Sequence, residues 1–242
     1  MKQDGKEILR NQAEEIRRRM GYDSYSPIDF SNLSVLLPEV TIVEYPFSKN
    51  LRGAILKISS DVAIIALNSH SELHRFYFSF CHELYHYFYG GISSRACPIE
   101  DYVGKDLEER AADLFAEYFI FPRNGFIDFF KNRCDSKVDV DTILRIGNFF
   151  HVNYGLVIKA MKEEQILAEK EADDYLKITS INVILRKRGL SDELYLIRRN
   201  DDEMHVYGKY IDLAYKLFEQ DRISESKLEE LLQDVNQKAI VD

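Results

Sequence analysis

Apolar residues recur at helical spacing over residues 4–20, where Ile8, Leu9, Ala13, Ile16 and Met20 line one side of a charged segment that Gly21 stops. Pro27 and the stretch Asp29–Leu37 predict a second short helix, closed before Pro38. The period then changes. Val40–Tyr45 alternates and is β-branched, and Gly53–Ile58 and Val62–Leu67 follow, with Ser59, Ser60 and Asp61 as turn residues between them. Three short strands in succession predict a small, mainly antiparallel sheet. From Glu72 to Tyr89 the pattern is helical again and ends at Gly90-Gly91. A loop carrying Pro98 and Gly104 leads to a helix over Leu107–Phe121, stopped by Pro122, and Asp139–Phe150 and Asn153–Leu167 read as two more. The charged run Glu169–Asp174 reads as a linker or an exposed helical turn. Glu193–Arg199 and Glu203–Tyr207 read as arms of a hairpin around Asn200-Asp201-Asp202. Lys209–Gln220 and Ser224–Val235 read as helices, the second with Ser224 and Ser226 available as caps. The class is α+β. One domain is expected over residues 1–165, and a mostly helical extension with a hairpin over residues 166–242.

The segment from Arg75 to Gly90 contains His82-Glu83-Leu84-Tyr85-His86, an H-E-x-x-H string. Residues four apart on a helix lie on one face, so His82 and His86 can offer two imidazoles to one cation, and Zn²⁺ accepts such ligands. Glu83 lies about 100° around the helix from His82, outside the ligand set but within reach of a water that the metal activates. Projected on the helix, Arg75, Ser79, His82, Glu83 and His86 share one arc of about 100°. The rest of the circumference is almost wholly aromatic or aliphatic. A helix this apolar is buried, and a buried polar stripe is costly unless its members are paired or bind a metal.

A catalytic zinc usually takes three protein ligands and keeps a position for water. The helix over Leu107–Phe121 supplies Glu108, Glu109, Asp113 and Glu117 as candidates for the third. Glu117 projects beside Arg110 on the polar side. Glu109 projects among Ala112, Ala116 and Ile120, where small residues let two helices approach. This placement favours Glu109 and leaves the other three as alternatives. Asp113, one turn on, is placed to orient a ligand histidine.

Composition narrows the rest. The net charge of −9 among 242 residues argues against unaided binding to nucleic acid or an anionic membrane. The clusters Arg17-Arg18-Arg19 and Arg186-Lys187-Arg188 read as solvated helix faces. Three cysteines, Cys81, Cys97 and Cys134, at irregular spacing and without a C-x-x-C pair suit a reducing cytosol, with Cys81 a buried, inert thiol. The N-terminal twenty residues are charged throughout, unlike a signal peptide, and no stretch is apolar enough to span a bilayer. Residues 142–165 have a helix–turn–helix rhythm, but the second helix offers only Lys159 and Lys162 to DNA, so packing is the expected role. His70, His74, His151 and His205 are scattered and read as surface or packing residues.

In these motifs the chain resembles the ImmA/IrrE family of bacterial metallopeptidases, a gluzincin-like group. Ile64-Ile65-Ala66-Leu67-Asn68 is similar to the strand before the family's helix. Arg75 to Tyr87 is similar to R-F-x-x-A-H-E-L-G-H-Y, and Glu109 to Glu117 with Phe121-Pro122 is similar to E-x-x-A-N-x-F-A-A-E-L-L-M-P. Asn148–Leu167 is similar to its helical tail, so the resemblance runs over about residues 5–165. It implies a zincin-like helical core beside the sheet, with His82, His86 and Glu109 as zinc ligands and Glu83 as the base. It further implies cleavage of a regulatory partner, typically a helix–turn–helix repressor or an antitoxin. Asp113 stands where Asn is commoner, Tyr85 where Gly is usual, Phe121 where Met is usual, and Cys81 where a small residue is usual. Tyr85 bears on the shape of the cleft. Two rival readings keep the zinc chemistry or the fold but change the function: a non-proteolytic regulator that binds a partner or DNA, and a small-substrate amidase or toxin.

Overall fold

A computed structural model describes residues 3–48, 50–59, 62–91, 93–98, 107–134 and 138–235. In chain order the elements are α1 (Gln3–Arg19), α2 (Leu33–Leu36), β1 (Val40–Tyr45), β2 (Leu51–Lys57), β3 (Ala63–Asn68), α3 (Leu73–Tyr89), β4 (Ser93–Pro98), α4 (Leu107–Ile120), α5 (Arg123–Arg133), α6 (Val140–Phe150), α7 (Tyr154–Glu163), α8 (Glu169–Leu176), α9 (Ile181–Lys187), a 3-10 turn (Glu193–Tyr195), β5 (His205–Gly208), α10 (Lys209–Glu219) and α11 (Glu225–Gln233). The α+β class expected from the periodicities is the class observed. By packing, the described residues fall into two compact units. The first draws on Met1–Asp29, Glu72–His82 and Gly104–Leu196, the second on Phe30–Ser71, Glu83–Val103 and Ile197–Asp242. The continuous helix α3 contributes to both.

In the first unit α1 packs on α4. Leu9, Ala13 and Ile16 of α1, and Ala112, Phe115, Ala116 and Phe119 of α4, are fully or almost fully buried. The alanines keep the second surface shallow, and Phe115 and Phe119 stack on one another at 5.8 Å. Phe121, Phe126 and Phe150 extend this aromatic core, with centroids 5.1–5.2 Å from Phe121. The N-terminus of α6 is capped by Asp139, which accepts a hydrogen bond from Thr142 N at 2.8 Å, and that of α7 by Asn153, which accepts from Leu156 N at 2.8 Å. Ile143, Ile146, Phe150, Val157, Ile158 and Met161 point inward, so the helix–turn–helix rhythm is a packing rhythm. Lys159 and Lys162 are engaged with Glu117 and Glu169. The charged run at 169–174 is the body of α8, a full helix with Ala172 buried, not a linker.

Arg17 corrects its expected place on a solvated face. It is completely buried and donates to the backbone carbonyls of Asp23 (2.8 Å), Phe119 (2.5 Å) and Ser26. Burial lowers its pKa to about 10, against the pull of Asp23. Helical periodicity placed it beside Ile16, and two peptide oxygens of the turn after α1 with one from the end of α4 supply the partners that make burial tolerable. Gly125 permits another close approach: a β-carbon there would lie 2.2 Å from the Tyr25 carbonyl oxygen.

The second unit is built on a five-stranded sheet of order β4-β2-β3-β1-β5. β1 and β3 run parallel, and the other three pairings are antiparallel. Val40, Ile42, Ile55, Ile65 and Leu67 alternate onto the buried side. Two strands differ from the sequence expectation. Ser93–Pro98, expected as loop, pairs with β2 along its length. The hairpin expected over 193–207 does not form: its first arm holds a 3-10 turn, and its second arm becomes β5, which pairs with β1 from Thr41↔Gly208 to Glu44↔His205. The edge of β1 left open by β3 was the stronger template, because pairing there also buries Val206. The predicted helix over 29–37 shrinks to the single turn of α2. α10 lies on β1 and β5, and α11 closes on α10 around Ala214, Leu228 and Leu232.

The C-terminal stretch is tied to the sheet by a buried acid. Glu44 on β1 is fully buried and receives Arg199 at 2.6 Å and Arg198 at 3.1 Å. Burial pushes its carboxyl up, but the hydroxyl of Tyr207 and the two guanidiniums outweigh burial and hold it below the usual range.

Candidate metal centre

The helix that carries the H-E-x-x-H string is α3. His82, Glu83 and His86 are all buried on it, and so is Ser79, whose hydroxyl donates to the Arg75 carbonyl at 2.8 Å. Arg75 itself reaches out to Glu72 at 3.2 Å, so the polar stripe has a solvated end and a buried end. Phe76, Phe80 and Leu84, elsewhere on the helix, are also buried. This apolar majority fixes the helix in place, and the buried end of the stripe requires polar partners.

α4 supplies them. The Nε2 of His82 lies 3.2 Å from Glu109 Oε2, and its Nδ1 lies 2.9 Å from Asp113 Oδ1. Glu109 and Asp113 are one helical turn apart, which lets one imidazole meet both. One ligand atom each from His82, His86 and Glu109 come within 4.8 Å of one another. His86 is held to His82 by the helix itself. Of the other two candidate acids, Glu117 is bound to Lys159 at 2.5 Å, and Glu108 is outside this cluster among the described residues.

The bonding of His82 places a proton on its Nδ1. A carboxylate accepts only, so Nδ1 carries a proton toward Asp113, and Nε2 faces a second carboxylate, Glu109, which requires a proton or a metal cation on that side of the ring. Nε2 and Glu109 Oε2, 3.2 Å apart, are joined either by a proton or by a metal cation that takes its place. With zinc–ligand distances near 2.1 Å, the edge of a tetrahedron is about 3.4 Å. Two imidazole nitrogens and one carboxylate oxygen are the donor set of a catalytic zinc with one position left for solvent. The residues present therefore fit a divalent metal. Cys81, beside His82 in sequence, is fully buried, and burial raises its pKa well above the thiol range, which removes it as a nucleophile or thiolate ligand.

The ring of Tyr85 meets that of His86 edge-on at 5.6 Å and also contacts Tyr89. One participant escaped the sequence reading. A β-carbon on Gly53 of β2 would lie 2.9 Å from the Ala66 carbonyl oxygen and 3.1 Å from Glu83 Oε1. The available signal was a glycine inside a strand pattern, which marks a bulge or a close approach.

Two histidines a turn apart on a buried helix, with an acid from the next helix, define the class: a protein with an H-E-x-x-H helix whose side chains could hold a metal ion. Residues 40–162, just over half of the chain, match the family described as Peptidase M78, IrrE N-terminal-like domain, and the chain belongs to that family. The match begins at β1 and ends in α7, so it takes in β1 to β4 and the candidate metal centre, and leaves α1, α2 and everything from α8 onward outside. The family is one of peptidases, which makes the function of metallopeptidase type. No curated protein matches the chain. Among the described residues no helix is long and apolar enough to cross a membrane.

Proposed function

We propose that this chain is a zinc-dependent peptidase that hydrolyses a peptide bond in a regulatory protein partner, a repressor or an antitoxin. The observation that carries the chemistry is the meeting of His82, His86 and Glu109 around one point, with Glu83 next to the first ligand on the same helix. His82, through Nε2, His86 and Glu109 would hold the metal. When bound, zinc supplies Lewis acidity, which acidifies water and polarises the scissile carbonyl. Asp113 holds the Nδ1 proton of His82, fixes the ring and keeps Nε2 free to ligate. Glu83 accepts a proton on its carboxylate from the attacking water and returns it to the leaving nitrogen. The partner class rests on the family resemblance alone. Cytosolic residence belongs to the same proposal and rests on cysteine usage.

The test is to incubate the protein with the product of its neighbouring gene, with and without chelator, and to look for cleavage by mass spectrometry. Glu83→Gln is expected to keep the metal and to lose hydrolysis by at least about 10²-fold. Biological activity that survives Glu83→Gln with metal still bound would establish the non-proteolytic regulator instead.

A further inference from the structure

We infer that Gly53 is a positioning residue for Glu83: the missing side chain on β2 is the space in which the carboxylate of the base is seated. The inference rests on the reading of Glu83 as the base and adds the residue that sets its place. β2 is paired on both sides, with β3 through Gly53↔Leu67 and with β4 through Gly53↔Cys97, and the register with β4 shifts between Leu51 and Gly53. Such an irregularity re-aims a strand locally, and strand bulges gather beside active sites. Both Gly53 and Glu83 are buried. The β-carbon of any other residue at 53 would stand 3.1 Å from Glu83 Oε1, closer than ordinary van der Waals contact. The carboxylate is the movable end of a side chain, so it is displaced by a few tenths of an ångström, whereas the Ala66 carbonyl, 2.9 Å from the same β-carbon, is backbone. These two neighbours predict different consequences. Crowding of Ala66 weakens folding. Crowding of Glu83 shifts the base relative to its water, and misplacement by about 1 Å costs about 10²-fold in rate.

Gly53→Ala is therefore expected to lower kcat about tenfold with KM unchanged. A second measurement needs neither metal nor substrate. In the metal-free protein, Gly53→Ala should lower the folding equilibrium constant by a larger factor in the wild-type background than in the Glu83→Ala background, with a ratio of about threefold or more. An equal loss in both backgrounds, or a wild-type kcat for Gly53→Ala, overturns the inference and leaves Ala66 as the reason for the glycine. If Gly53→Ala does not fold, the double variant decides: folding restored by Glu83→Ala supports the seat, and failure of both overturns it. Hydrolysis that persists in Glu83→Gln refutes the base without touching the measured coupling, so the two failures are distinguishable.

Discussion

Asp113→Ala removes the acceptor that holds the Nδ1 proton of His82, and Asp113→Asn keeps an acceptor while removing the charge. The bond they act on is 2.9 Å long between a buried ring and a carboxylate about a quarter exposed. A hydrogen bond to a charged group contributes about 1.5–3 kcal/mol net, and a neutral one about 0.5–1.5 kcal/mol. Partial exposure of Asp113 puts its bond at the low end of the charged range. The Ala variant additionally frees the ring to rotate and to change tautomer, and loss of such an orienting partner weakens metal binding about 10–100-fold. The Asn variant, which restores the residue commoner at this position in the family, loses about 1 kcal/mol, or roughly fivefold. The assay is a competition titration of zinc against a chelating chromophore at neutral pH, with circular dichroism to establish that both variants are folded. An Ala variant that binds zinc within twofold of wild type would refute the orienting role. An Asn variant as weak as the Ala variant would refute the order argued from the acceptor.

Two further expectations concern the scaffold. Glu44→Gln should destabilise the protein by about 2 kcal/mol at neutral pH in denaturant titrations. Because the folded pKa of Glu44 is depressed, its contribution is complete above the unfolded value of about 4.3 and disappears as pH falls through the folded one; a wild-type advantage that grows on acidification contradicts this. Arg17→Met leaves the carbonyls of Asp23, Phe119 and Ser26 without their donor and should cost on the order of 3 kcal/mol in the same titrations, whereas a loss under 1 kcal/mol would mean that water or neighbours replace the guanidinium.

The candidate site was legible because its parts are local. His82, Glu83 and His86 lie within five residues, and α3 needed only a wheel to reveal their stripe. Glu109 was favoured from its alanine neighbours, and the structure puts its carboxylate 3.2 Å from His82, while the buried alanines belong to the face of α4 that packs on α1. What was illegible depended on distant partners. Ser93–Pro98 has little β-branched character and is a strand because β2 offers it a backbone ladder. The burial of Arg17 depends on three carbonyls in other segments. Glu44 sits in an inward register position of a β-branched strand, and only the arginines at 198 and 199 explain why an acid is tolerated there.

The pairing of β1 with β5 also bears on how the protein is made. Glu44 and His205 are neighbours in the sheet yet 161 residues apart in the chain. At about 5–20 residues per second, the ribosome needs on the order of 10–30 s to supply the last strand after the first has emerged. During that interval one edge of β1 is an unsatisfied ladder on a nascent chain. The segment beyond the family match is thus a closing strip for the sheet. A gene shortened to residues 40–162 should yield a polypeptide prone to edge-to-edge association during synthesis, even though it keeps every residue assigned to the metal.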